Sequence, residues 1–219
     1  MSVSEAVARR MSVRAFLPDP VPGAIVAEIL EKAARAPSGG NLQPWRVHAL
    51  TGAPLADLLA QVKSCGPDVA PGYEIYPQNL WEPYRTRRFS NGEQLYAAIS
   101  VAREDKAGRL KQLARNAEFF GAPVGIFILV DRKMGPPQWS DLGMYIQTLM
   151  LLAVERGLAT CPQEYWAVYA KTVERFLGAP DDQMLFCGVA LGFCDETAPI
   201  NAMRTDRAPA QEWMTTAGF

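Results

Sequence analysis

The chain has 219 residues, 49% hydrophobic and 21% charged, enough apolar material to bury a sizeable core in one domain spanning 1–219. Lysines and arginines total 22 against 23 aspartates and glutamates, so no electrostatic footprint calls for nucleic acid or an anionic membrane surface, and a small molecule is the expected partner. The longest apolar run, 142–154, spans 13 residues broken by Gly143, Gln147 and Thr148, short of the roughly 20 that a membrane span needs.

In chain order, MSVSEAVARRM lacks the apolar centre of a secretory signal and reads as a helix over 3–11, so the chain is expected to stay in the cytoplasm. A second helix is predicted over 22–36, with Pro22 set for its first turn and Ile25, Val26, Ile29, Leu30, Ala33 and Ala34 on one face. It should stop before Pro37, where PSGGNLQP forms a structured loop leading into a strand at 45–50. His48 falls in that strand as a half-exposed residue. A short helix is predicted at 53–64. Residues 65–92 then combine Gly, Pro and Asn with Tyr73, Tyr76, Trp81, Tyr84 and Phe89, a composition that suggests a lid or contact loop.

Two helices follow at about 93–104 and 106–119, then a buried strand at 123–130, PVGIFILV. Ser140 is placed as the cap of a long helix running to about Arg156 and closed by Gly157. This helix is apolar on nearly every side, which a single sheet contact would not cover, so a subunit interface is expected. The rest reads as a helix at 167–177, a strand at 183–192 and an irregular arm at 193–219. Strands separated by unequal helical blocks favour an α+β fold over a doubly wound sheet.

Several chemistries lack their residues. Cys65, Cys161, Cys187 and Cys194 form no C-x-x-C pair, and His48 is the sole histidine, which leaves zinc sites and Cys/His or Ser/His nucleophile systems without a basis. GVALG at 188–192 has the wrong glycine spacing for a dinucleotide fingerprint, and no P-loop occurs, so any phosphate must be held by side chains.

Three regions could grip an anion or a planar ring. In ARRMSVRAF, Arg10, Ser12 and Arg14 alternate along an extended exit from the first helix, and guanidinium forks match phosphate oxygens. In APSGGNLQPW, two glycines admit close backbone approach, beside Ser38, Asn41 and Gln43. GLATCPQEYW offers a turn with backbone donors, and NAMRTDR carries Arg204 and Arg207. Read singly, these are a solvated helix end, an ordinary turn and a solvent-facing arginine pair.

Together and in this order, the segments resemble the FMN-dependent nitroreductase family over nearly the whole chain. The resemblance implies an α+β fold with a central mixed sheet flanked by helices in a domain-entwined homodimer. It also implies tightly bound FMN, NAD(P)H as reductant, and ping-pong hydride transfer to nitroaromatic compounds or quinones. Carried over residue by residue, Arg10, Met11, Ser12 and Arg14 would meet the phosphate, ribityl chain and pyrimidine edge. Pro37, Ser38, Gly39 and Asn41 would reach the flavin from the other subunit. Pro162, Gln163 and Glu164 would set backbone amides near the reactive edge, Arg204 and Arg207 would close on the phosphate, and Asn116 would present an amide. Met11 stands where relatives often carry a polar or basic residue.

Residues 76–96 look most similar to the nitrobenzoate reductase-like branch, which implies substrate contacts from Tyr76, Trp81, Tyr84, Arg85 and Arg88, with Arg87 a further candidate for a substrate carboxylate. Reductive dehalogenation of a halogenated phenol, or flavin binding without turnover, are the alternative expectations. Glu74 and Lys106 are the residues that keep the dehalogenase reading open.

Overall fold

A computed structural model describes residues 1–219. Seven α-helices surround one four-stranded sheet: α1 (Val3–Arg9), α2 (Gly23–Ala33), β1 (Arg46–Thr51), α3 (Gly52–Cys65), α4 (Tyr84–Ala98), α5 (Lys106–Ala114), β2 (Val124–Asp131), α6 (Pro136–Glu155), β3 (Ala159–Gln163), α7 (Ala170–Phe176) and β4 (Gln183–Gly192).

The strands lie in the order β1-β2-β4-β3, and every pairing is antiparallel. The α+β expectation holds, but the mixed sheet does not. The only parallel component is an isolated bridge between Ser12 and Thr160, which ties the chain after α1 to the edge strand β3. Composition and strand spacing carry no information on strand direction here, because the crossings are made by helical blocks of unequal length.

Helix packing on both faces buries β2 from Val124 to Val130, with Ile126, Phe127, Ile128, Leu129 and Val130 fully enclosed. Its alternate side chains divide between two cores. Val124, Ile126, Ile128 and Val130 meet α2 and α6, while Phe127 and Leu129 meet Phe119, Trp166, Leu58 and Val173 on the other face. Phe119, Phe127 and Trp166 pack with ring centroids 4.6 to 5.3 Å apart.

α6 starts one turn earlier than Ser140, at paired prolines that need no amide donor, and the Gln138 side chain accepts from the Gly135 amide. The Ser140 hydroxyl instead donates to the Pro137 carbonyl inside the helix, at 2.6 Å. Gly157, at φ 71°, closes it as the sequence predicts. β4 coincides with the predicted strand 183–192.

The expected loop at 65–92 is only half loop. Residues from Tyr84 onward form α4, none of whose side chains is buried, so no apolar stripe marked it. The preceding segment is also tied down. Asp68 caps α7, accepting from the Lys171 amide at 2.7 Å and from the Thr172 hydroxyl at 2.7 Å. Tyr73 donates its phenol to the Phe186 carbonyl and packs on Phe186 and Trp139. No helix is long and apolar enough to cross a membrane.

Candidate active site

Leaving α1, the chain turns extended at Arg10 and runs beside β3, with the Val13 amide donating to the Thr160 carbonyl at 3.0 Å. Val13 therefore points into the core, and Arg10, Ser12 and Arg14 stand on the open side. The C-terminal arm returns to this stretch through the 8%-exposed Asn201. Its Oδ1 accepts from the Arg14 amide at 2.8 Å, and its Nδ2 donates to the carbonyls of Ala15 and Asp195.

These elements enclose a cavity of about 590 Å3 whose wall includes Arg10, Met11, Ser12, Arg14, Arg204 and Arg207. Residues from the two ends of the sequence, nearly two hundred positions apart, thus converge as expected. Arg204 donates to the carbonyls of Arg9 and Arg10 at 3.2 and 3.4 Å. Arg207 donates to the Thr205 hydroxyl at 2.8 Å.

The six ion pairs of the fold involve none of the four cavity arginines. Burial, and then the neighbouring charges of Arg207 and Arg204, lower the pKa of Arg10 from the usual arginine value. Positive charge is concentrated here without a protein counter-ion, which is how a site for a multiply charged anion is built.

From Arg14 the site continues inward. Arg115, in a 3-10 turn at 115–121, donates to the carbonyls of Arg14 at 3.4 Å and Phe120 at 3.2 Å. The next residue, Asn116, is held by Gln163, whose Nε2 donates to the Asn116 carbonyl at 2.9 Å and to its Oδ1 at 3.1 Å. Asn116 is thus no free surface side chain.

Pro162 and Gln163 correct the expected turn, because both lie in β3, paired with Val189 and Gly188. The chain bends one residue later, where Glu164 opens a 3-10 turn. The Gln163 Oε1 is buried without a donor. Glu164 as a residue keeps solvent contact, yet its carboxyl lies in a recess where desolvation raises its pKa.

The 37–44 loop lies elsewhere. None of Pro37, Ser38, Gly39 and Asn41 lines the arginine cavity. The Gly39 amide donates to both oxygens of Asp141, on α6, at 3.3 Å, and the Ser38 hydroxyl accepts from the Gln43 amide at 3.0 Å. Within one chain the two halves of the predicted cofactor site are separate.

The candidate substrate residues form an outer cluster that does not line the cavity either. Trp81 and Tyr84 meet edge to face at 5.5 Å, Arg88 lies 4.2 Å over the Tyr76 ring, and Arg85 pairs with Glu82 at 2.7 Å. Arg87 pairs with Glu212 of the arm at 2.7 Å. Sequence reading missed Asn91, the α4 residue in the cavity wall. The only signal available was that a polar residue lies among arginines in a segment read as loop.

The fold is an antiparallel α+β core with an arginine-lined cavity beside its edge strand β3. The chain belongs to the nitroreductase family, whose model matches residues 7–193. A 4-nitrobenzoate reductase of Pseudomonas putida is 40% identical over 215 residues, covering 97% of this chain and 94% of that protein. The crystal structure of an FMN and NADPH-dependent nitroreductase, NfnB, from Sphigopyxis sp. strain HMH superposes with a TM-score of 0.97 at 50% identity over 100% of both chains. That of FMN-dependent NfnB from Mycobacterium smegmatis in complex with NADPH superposes with a TM-score of 0.90 at 32% identity, over 99% of this chain and 100% of that one.

Proposed function

We propose that this chain is an FMN-dependent oxidoreductase that uses NADPH to reduce nitroaromatic compounds, nitrobenzoate-like acids among them. One observation carries the reading: Arg10, Arg14, Arg204 and Arg207 share one cavity and have no carboxylate partner. FMN fits this donor set. Its phosphate supplies the missing negative charge, and its hydroxyls suit Ser12 and Asn91 in the cavity wall.

When bound, the flavin supplies two-electron exchange between a reduced nicotinamide and an electron-poor aromatic ring. The protein's own part is placement and charge. Arg10, Arg204 and Arg207 hold the phosphate, with Met11 packing beside them. Arg14 provides positive charge toward the pyrimidine edge, and the Gln163–Asn116 pair fixes an amide next to the strand end at Pro162 to Glu164. The absence of a histidine base is expected in such a site.

Pro37, Ser38, Gly39 and Asn41 complete the site from a second copy of the chain, which makes the enzyme a homodimer. The unburied apolar residues on α6, Met144 with Leu151 and Leu152, supply area for that association. Arg88 has no carboxylate partner, unlike Arg85 and Arg87, so it is assigned to a substrate carboxylate, with Tyr76, Trp81 and Tyr84 around the ring. A cytoplasmic location accords with four unpaired cysteines.

The test is a visible spectrum of the purified protein, followed by anaerobic addition of NADPH and then 4-nitrobenzoate. Flavin bands that bleach and recover, with an amine or hydroxylamine product, are expected. A protein that takes up no FMN would overturn the reading, and bands that resist NADPH would reduce it to flavin binding without turnover.

A further inference from the structure

α4 is an unusual helix for a stable domain because none of its fifteen residues is buried. Polar ties secure its ends. Arg87 pairs with Glu212 on the arm, and Glu93 receives Arg109 of α5 at 2.6 Å. Between these ties, Asn91 is the one α4 residue that faces the arginine cavity, and it also borders the neighbouring cleft of about 780 Å3 between α4 and the arm. Its carboxamide oxygen is sealed from solvent and accepts no hydrogen bond from the protein. A buried amide oxygen left without a donor is unfavourable. Asn91 lines the cavity, and rotation of its amide exchanges the two ends, so a ligand with hydroxyl donors and phosphate acceptors would pair with whichever end faces it.

We propose that Asn91 is a cofactor-binding residue, hydrogen-bonded to the ribityl–phosphate arm of FMN, and that this contact pins α4 against the cofactor. The inference rests on the FMN reading above. It makes the helix that carries Tyr84, Arg85 and Arg88 responsive to cofactor occupancy, so the outer aromatic cluster is set in place by FMN and not by the core.

The experiment uses apo protein titrated with FMN, followed by quenching of flavin fluorescence, for wild type, Asn91→Ala and Asn91→Asp. Asn91→Ala should weaken FMN binding about three- to tenfold, the loss of one net hydrogen bond. Asn91→Asp should weaken it further, because it sets a carboxylate beside a phosphate. Hydrogen exchange gives the second readout. FMN should protect residues 84–98 in the wild type, and saturating FMN should fail to protect them in Asn91→Ala. Affinities within twofold of wild type for both variants would overturn the proposal, as would equal protection of α4. A wild-type chain that binds no FMN would overturn the flavin reading and this inference with it. Normal wild-type binding with unaltered variants overturns the assignment of Asn91 alone.

Discussion

At the residue scale, the arginine cavity sets two properties against each other. Arg10 is partly buried next to Arg204 and Arg207, and its side chain has no acceptor in the protein, so in the empty site it contributes repulsion. Arg10→Ala should therefore leave the melting temperature of the apo protein unchanged or raised. The same change should weaken FMN binding by about 1.5–3 kcal/mol, the worth of a hydrogen bond to a charged group. Calorimetry with and without FMN checks both signs, and a destabilised apo protein would contradict the account. The cysteines give a pH prediction. Burial pushes Cys161 up to about 11 and Cys187 up to about 12, whereas the unfolded thiol titrates near 9.0. Below pH 9 the thiols are neutral in both states, so their contribution is constant. Above it only the unfolded chain ionises, and stability should fall as pH rises from 9 through 11. Denaturant midpoints should be insensitive to these groups up to pH 9 and then decline. At pH 8 a thiol reagent should find one fast site, the exposed Cys65.

At the element scale, what was legible followed burial. The run at 183–192 reads as a strand because both its faces are covered, and Arg10, Ser12 and Arg14 read as a donor row because extended backbone alternates. The first part of α4 was illegible for the converse reason: a helix fixed by ion pairs at its rim leaves no periodic trace, and Asn91 was lost with it, while 93–98 fall within the helix predicted over 93–104. Gly188 was also undervalued as a strand glycine. A Cβ there would sit 2.2 Å from the Trp166 ring, which packs against β4 with Phe119 and Phe127 around it. Gly188→Ala must displace Trp166 or shift the strand, at a cost of about 1–3 kcal/mol. Because Trp166 belongs to the turn that begins at Glu164, and Gly188 pairs with Gln163, the displacement should also disturb the Gln163–Asn116 contact. Urea unfolding should show the loss, with FMN affinity falling in parallel. A destabilised variant with wild-type affinity would show that this end of β3 is not part of the cofactor site.

At the scale of the whole molecule, the proposed cofactor site is one built by two chains. The arginine cavity lies by the end of α1 and the arm, while the 37–44 loop is fastened to the start of α6 through Asp141. If both halves meet one flavin, they come from different copies, and the lesions of two variants can be separated. Arg10→Ala with Arg207→Ala removes the phosphate grip of one chain. Gly39→Phe blocks the other half, and a Cβ at Gly39 has no neighbour within 4 Å in its own chain. Each variant alone should bind little FMN. After subunit exchange half of the dimers are mixed, and each mixed dimer holds one site with both lesions and one with neither. Mixing should then restore about a quarter of wild-type FMN occupancy, as a two-fold dimer with shared sites demands. No recovery, with exchange verified by a mass tag, would mean that one chain builds the whole site. A protein that stays monomeric while binding FMN would place the unburied α6 residues outside any role in the cofactor site.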